Sequence, residues 1–225
     1  MRLLTILFVI QVFPSLALAE DIMKDFDSLG GNDVLINRAK VLQPDKDVKI
    51  VQNRVVKRKW RNEFSGNYAN VIGGDAFLET QSLGLNYHLH INHRWAVGAG
   101  YFAAFNNLSK EAKFLIDQNG DVPDVDEPQR GYEVFANFSP IYGKINLLDM
   151  GVVQFDTYGI VSFGTLQLKS GNTQTYSVGA GFGLWFSQHL TSRLEIRQRF
   201  YESQRFGGPT DIQATLASFS IGYML

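Results

Sequence analysis

The chain has 225 residues, with 21 Lys and Arg against 22 Asp and Glu, a formal net charge of -1 and no cysteine. That balance excludes a nucleic-acid binder working through a global basic excess, and the missing cysteine excludes disulfides, thiolate metal sites and lipoprotein acylation. Aromatic residues make 13% of the chain, with 17 Phe, 9 Tyr and 3 Trp beside 21 Gly, and the mean hydropathy is near zero at -0.09.

Met1 and Arg2 form a minimal basic start, Leu3 to Leu16 is apolar, and Ala17-Leu18-Ala19 is a small-x-small cleavage site followed by Glu20-Asp21. This predicts a secretory signal peptide over residues 1–19 rather than a membrane anchor. The mature chain of about 205 residues suffices for one domain with a sizeable core. No run of 18 apolar residues follows, so no spanning helix is expected.

Residues 20–59 are polar and poor in aromatics. Asn32 is placed to cap a short helix ending near Leu42, before Pro44, and Val48 to Val56 reads as extended. Lys46, Lys49, Arg54, Lys57, Arg58 and Lys59 make this stretch basic. It reads as a solvated linker or as a periplasmic arm that docks on a periplasmic protein or on peptidoglycan.

From Trp60 the hydrophobic period changes to two. The predicted strands are Trp60 to Asn70, Phe77 to Leu89, Trp95 to Phe105, Arg130 to Tyr142, Val152 to Leu168, Thr175 to Phe186, Leu190 to Tyr201 and Ile212 to Leu225. Each has about 10 to 15 residues, as tilted membrane-spanning strands require. Tight turns are expected at His90 to Arg94 and Ser187 to His189, a turn region at Ile141 to Met150, and a last loop at Glu202 to Asp211. The longest interruption, Asn106 to Gln129, carries a helical turn near Ser109 to Asp117 and an acidic, solvated loop at Asp117 to Glu127. An even count puts both ends on the periplasmic side, with Trp60, Trp95 and Tyr142 at the periplasmic interface and Tyr68 and Tyr101 toward the outer one.

The strand charges decide between membrane and soluble barrels. Arg61, Glu63, Glu133, Asp156, Arg193, Glu195, Arg197 and Arg199 all lie opposite the aromatic face. In a membrane barrel such residues point into the lumen, which in an eight-stranded barrel is just wide enough for side chains to fill. Balanced charges there pair with one another, because lone buried charges are costly. A soluble lipocalin-type barrel needs an apolar interior, whereas the inward set here reads as mostly Ser, Asn, Gly and charges. The expected fold is therefore all-β, an eight-stranded antiparallel transmembrane (outer-membrane) β-barrel with a short N-terminal periplasmic arm, divided into residues 1–19, 20–59 and 60–225.

The segments LGGNDVLINRAK, VKIVQNRVVKRKWRNEF, YHLHINHRWAVGAGYF and SPIYGKINLL resemble the outer-membrane β-barrel domain family common in myxobacteria and Bdellovibrio-like bacteria. The resemblance implies an outer-membrane barrel preceded by an arm. It implies no single activity: some similar barrels are linked to envelope-spanning motility machinery.

Enzymatic signals are weak. A lipid-modifying barrel enzyme needs a His with a Ser or acid at the outer rim, but His88, His90, His93 and His189 surround two turns at the periplasmic end. His88 and His90 share a strand face, as metal ligands do, yet read as turn histidines. Asp117, Asn119 and Asp121 start like a calcium loop, which then fails at Val122 and Pro128. The glycines of strands three and six lack the Lys-Ser/Thr pair of a phosphate loop and read as relief of crowding. No catalytic residue, metal or cofactor is assigned. The expectation is a non-enzymatic structural or docking component of a Gram-negative outer membrane, in contact with its lipid and lipopolysaccharide; the alternatives are a small channel and, after it, a lipid-modifying enzyme. Phe219, Ile221, Tyr223 and Leu225 of the closing strand face lipid. That strand resembles the signal read by barrel-insertion machinery, with Leu225 where the signal often has Phe.

Overall fold

The computed structural model describes residues 41, 56–120, 123–146 and 152–225. The predicted signal peptide, the predicted helix from Asn32 and the segment before Val56 expected to be extended lie outside the described residues. Eight antiparallel strands form a closed barrel: β1 (Arg61–Val71), β2 (Leu78–His90), β3 (Trp95–Leu108), β4 (Pro128–Asn146), β5 (Val152–Leu168), β6 (Asn172–Trp185), β7 (Leu190–Arg205) and β8 (Gly208–Met224), with one helix, α1 (Lys110–Asn119), between β3 and β4. Each strand pairs with its sequence neighbours, and β8 returns to β1 through pairs running from Glu63 with Met224 to Val71 with Leu216. Closure leaves no unpaired edge to template aggregation.

The period of two sets the two faces. On β2 the buried Thr80, Ser82, Asn86, His88 and His90 alternate with the exposed Leu83 and Leu85. On β7 the buried Thr191, Arg193, Glu195, Arg197 and Arg199 alternate with the exposed Leu194 and Ile196. Phe64, Tyr68, Trp95, Tyr101, Tyr132, Phe163, Tyr176, Phe219, Ile221, Tyr223 and Leu225 all stand exposed on the outer surface. Apolar outside and charged inside is the inverse of a soluble barrel and the pattern of one immersed in lipid.

Two stretches read from the sequence as turn or loop are strand instead. Ile141 to Asn146 continue β4 rather than turn, beyond a register shift between Phe138 and Ile141. Pro140 suggests a turn, but a bulge needs no ladder bond from proline's missing N–H. The bulge also turns Tyr142 from the predicted interface to the barrel mouth, where its hydroxyl donates to Gln154 Oε1. The predicted last loop is instead an extended hairpin, in which β7 and β8 stay paired from Glu202 with Asp211 to Arg205 with Gly208. Its polar residues hide the period, although Ser203 is buried between the exposed Glu202 and Gln204.

The acidic stretch before β4 is not simply solvated. Asp126 is buried and accepts from Ser170 N (3.0 Å), Ser170 Oγ (2.5 Å) and Gln204 N (3.2 Å). Arg205 donates to Asp124 O (3.1 Å) and Asp75 Oδ2 (2.5 Å). These bonds tie all four connections at the end far from the termini. Ser109 caps α1 by accepting from Ala112 N at 3.1 Å. Asp117 and Asn119 lie within that helix, so they do not begin a calcium loop; Asp121 lies outside the described residues. Replacing Asp126 with Ala orphans two backbone donors at a cost of about 1–3 kcal/mol. Limited proteolysis of the folded barrel should then cut these connections several-fold faster, with the strands still protected.

Candidate functional site in the lumen

The interior is built in layers by side chains from every second strand position. Glu63 of β1 faces Arg193 of β7 across the seam. Arg193 holds it with two nitrogens, Nε at 3.2 Å and Nη2 at 2.6 Å. Thr191 Oγ1 donates to Glu63 at 2.7 Å, and His90 Nε2 lies 2.7 Å from its other oxygen. In the middle layer Arg197 reaches two carboxylates: Glu195 through Nε (2.8 Å) and Nη2 (2.5 Å), and Glu133 through Nη1 (2.7 Å). Tyr158 donates to Glu195 at 2.6 Å, Ser162 donates to Glu133 at 3.1 Å, and Arg199 reaches Glu133 at 3.4 Å. Double-nitrogen contacts to carboxylates are the strong form of this interaction and suit a buried setting.

Between the charges lie apolar layers that the sequence reading did not anticipate. Phe135, Tyr158 and Ile160 form one cluster, and Phe102, Leu166 and Leu168 another, with Tyr201 packed against it. The arginines lie over these rings: Arg199 is 4.5 Å from the Phe102 centroid and Arg193 is 5.4 Å from that of Tyr158. Glycines on the lumen side make the room. A Cβ at Gly98 meets Tyr87 O and the Phe135 ring, and one at Gly181 meets the Tyr158 ring. Crowding is therefore the reason for these glycines, since larger side chains there overpack a full interior. Cavities within the lumen are small: about 30 Å³ beside Arg199 and Phe102 toward the far end, and about 10 Å³ beside His90 and Asn137 toward the near end.

Seven of the eight charges assigned to the lumen are buried inside it: Glu63, Glu133, Asp156, Arg193, Glu195, Arg197 and Arg199. Arg61 is the correction. It shares their parity but sits at the first position of β1, where carbonyls crowd the rim. Its guanidinium donates to Gln188 O (2.8 Å), Leu225 O (2.8 Å), Met224 O (3.1 Å) and Lys57 O (3.2 Å). It therefore staples the closing strand and the β6–β7 turn to β1. The histidines need correcting too. His88 and His90 are not turn residues but buried lumen residues at the end of β2, their rings 6.3 Å apart. Among the described residues, no three His, Cys, Asp or Glu side chains come together as a metal site would need.

Sequence reasoning missed Arg58, which fills the eighth place. Of residues 56–58, assigned to the arm, Val56 and Arg58 lie buried inside the near mouth and Lys57 is exposed at it. Val56 packs with Trp185 and Met224, and Arg58 is 2% exposed and ion-paired with Asp156. Ser139 Oγ (3.2 Å) and Trp185 Nε1 (3.3 Å) also donate to Asp156. Arg58 was hidden because a stretch with four basic residues in six, Arg54 to Lys59 apart from two valines, is ordinarily a solvated segment. The one available signal was its place two residues before the first strand.

No protein-family model matches this chain, and no curated protein does. Among solved structures it is similar to the outer membrane protein OprG from Pseudomonas aeruginosa, at 11% identity over 75% of this chain and 97% of that one, with a TM-score of 0.49. It is also similar to the N-terminal β-barrel domain of Pseudomonas aeruginosa OprF (7% identity, 74% and 98% covered, TM-score 0.43). A third likeness is to Ail, the attachment invasion locus protein of Yersinia pestis (13% identity, 74% and 99% covered, TM-score 0.38). At these identities the likeness concerns the fold alone.

Proposed function

We propose that this protein is a non-enzymatic outer-membrane barrel of a Gram-negative bacterium, acting as a structural or docking component of the envelope. The observation that carries this reading is the lumen, where four arginines and four carboxylates pair inside walls packed by aromatic side chains. Such an interior gives rigidity, not passage. The termini then lie on the periplasmic side, with the far-end connections held by Asp126 and Arg205 on the outside. The arm preceding the barrel offers the contact to a periplasmic protein or to peptidoglycan.

Two measurements test it. In planar bilayers the purified protein should give no large, stable single-channel steps; such steps would favour the channel reading. Crosslinking in cells should recover partners that disappear when residues 20–55 are deleted, a deletion that keeps the residues seated in the mouth. An unchanged partner list would sink the docking role.

A further inference from the structure

We propose that the near mouth is a recognition site for an arginine carried on an extended segment, filled in cis by residues 56–58, which act as a releasable plug. The site has a built receptor. Gln154 Oε1 accepts from Val56 N at 2.9 Å, and Gln188 Oε1 accepts from Lys57 N at 3.3 Å. Both bonds run from the segment's backbone N–H groups to side-chain amides of the barrel, so they hold its backbone whatever its side chains. The Arg58 guanidinium lies 4.2 Å from the Trp185 ring centroid and 5.3 Å from that of Tyr142, and ion-pairs with Asp156. Carboxylate and rings together suit the planar guanidinium better than an ammonium.

Three observations make the seat releasable rather than permanent. First, the barrel's own Arg193 and Arg197 each grip a carboxylate with two nitrogens. Arg58 uses only Nη1 on Asp156, and its buried Nε and Nη2 find no acceptor on the protein among the described residues. Unmet buried donors weaken the bound state. Second, Asp156 keeps two neutral donors, Ser139 and Trp185, once the arginine leaves. The receptor is therefore tolerable when empty, unlike a carboxylate stripped of every partner. Third, the chain turns from plug to β1 through Trp60, whose φ of +59° lies in the left-handed region that bulky residues avoid. Arg61 N donates to Arg58 O across that turn at 3.0 Å. Withdrawal relaxes it.

The charge count points the same way. The walls contribute Arg193, Arg197 and Arg199 against Glu63, Glu133, Asp156 and Glu195, so the plug supplies the cation that balances the lumen. Release uncovers a negative mouth and lengthens the chain ahead of β1. The plug and its release need no periplasmic partner, so they stand or fall separately from the docking role.

The natural chain has no cysteine, which makes the test clean. Val56→Cys is introduced, the full chain is folded into detergent micelles, and the rate of maleimide labelling is followed. Heat-modifiable migration on gels checks that each variant is folded. The expected result is slow labelling in the parent, about tenfold faster labelling on adding Arg58→Ala or Asp156→Asn, and an intermediate rate with Arg58→Lys. A peptide of sequence NRVVKRK, given in trans at millimolar concentration to the Val56→Cys parent, should also speed labelling by competing for the mouth. If Arg58→Ala does not fold, the peptide arm on the parent decides alone. Equal rates with and without Arg58 would overturn the plug as releasable, immediate labelling of the parent would overturn its being seated, and indifference to the peptide would overturn recognition.

Discussion

Replacing Arg197 with methionine is expected to destabilise the barrel by about 3–5 kcal/mol, the usual cost of removing one partner from a buried ionic cluster. The residue is the middle layer's bridge, reaching Glu195 through Nε and Nη2 and Glu133 through Nη1, at 2.5 to 2.8 Å. Methionine fills much of the stem's volume, so the loss is one of charge more than of packing. Without Arg197, Glu195 retains Tyr158, and Glu133 retains Ser162 and an Arg199 contact of 3.4 Å. The measurement is urea unfolding of the micelle-embedded protein, read from the fraction with heat-modifiable migration. Adding Glu195→Gln should recover much of the loss, because that neutral group needs no counter-charge while Glu133 keeps its pair with Arg199. A single variant within about 1 kcal/mol of the parent would mean that the lumen is wet enough to screen bare carboxylates, and the side-chain-filled interior would be wrong.

Deleting Tyr223 to Leu225 should abolish assembly altogether. Met224 pairs with Glu63 in the seam and is fully buried against Val56 and Trp185. Tyr223 pairs with Phe64 of β1 on one side and with Leu190 of β7 on the other. Arg61 reaches across to the carbonyls of Met224 and Leu225. Removing three residues therefore opens the cylinder at its closing seam and strips the near mouth of a wall residue. An open barrel exposes unpaired backbone groups to lipid, each costing several kcal/mol. The check is membrane fractionation with gel migration: the truncated chain should be degraded or remain outside the membrane as an unfolded band. A normal heat-modifiable barrel would refute the claim.

Much of this architecture was legible because it depends on neighbours in sequence. Phe219, Ile221, Tyr223 and Leu225 alternate with Ser220, Gly222 and Met224, and that alternation specifies two faces whatever lies beyond. The same parity put Glu63, Glu133, Asp156, Arg193, Glu195, Arg197 and Arg199 on one side. It failed where local pattern and position part company. Arg61 has the right parity but the wrong height, so it staples a rim. Tyr142 lies past a bulge that shifts its parity. In β5 the period of two is blurred because Tyr158, Ile160 and Leu166 are apolar yet point inward, where they pack between charge layers.

The sequence by itself determined the strand count, the two faces and the sign of the charges on the inner strand face, since these follow from a period of two and from composition. Only the tertiary structure decided who pairs with whom. Arg58 meets Asp156 at a separation of 98 residues, and Arg193 meets Glu63 at 130. Such contacts arise when closure brings opposite walls within a side chain's reach. A buried carboxylate takes whatever cation that geometry delivers, and for Asp156 it delivered one from outside the strands.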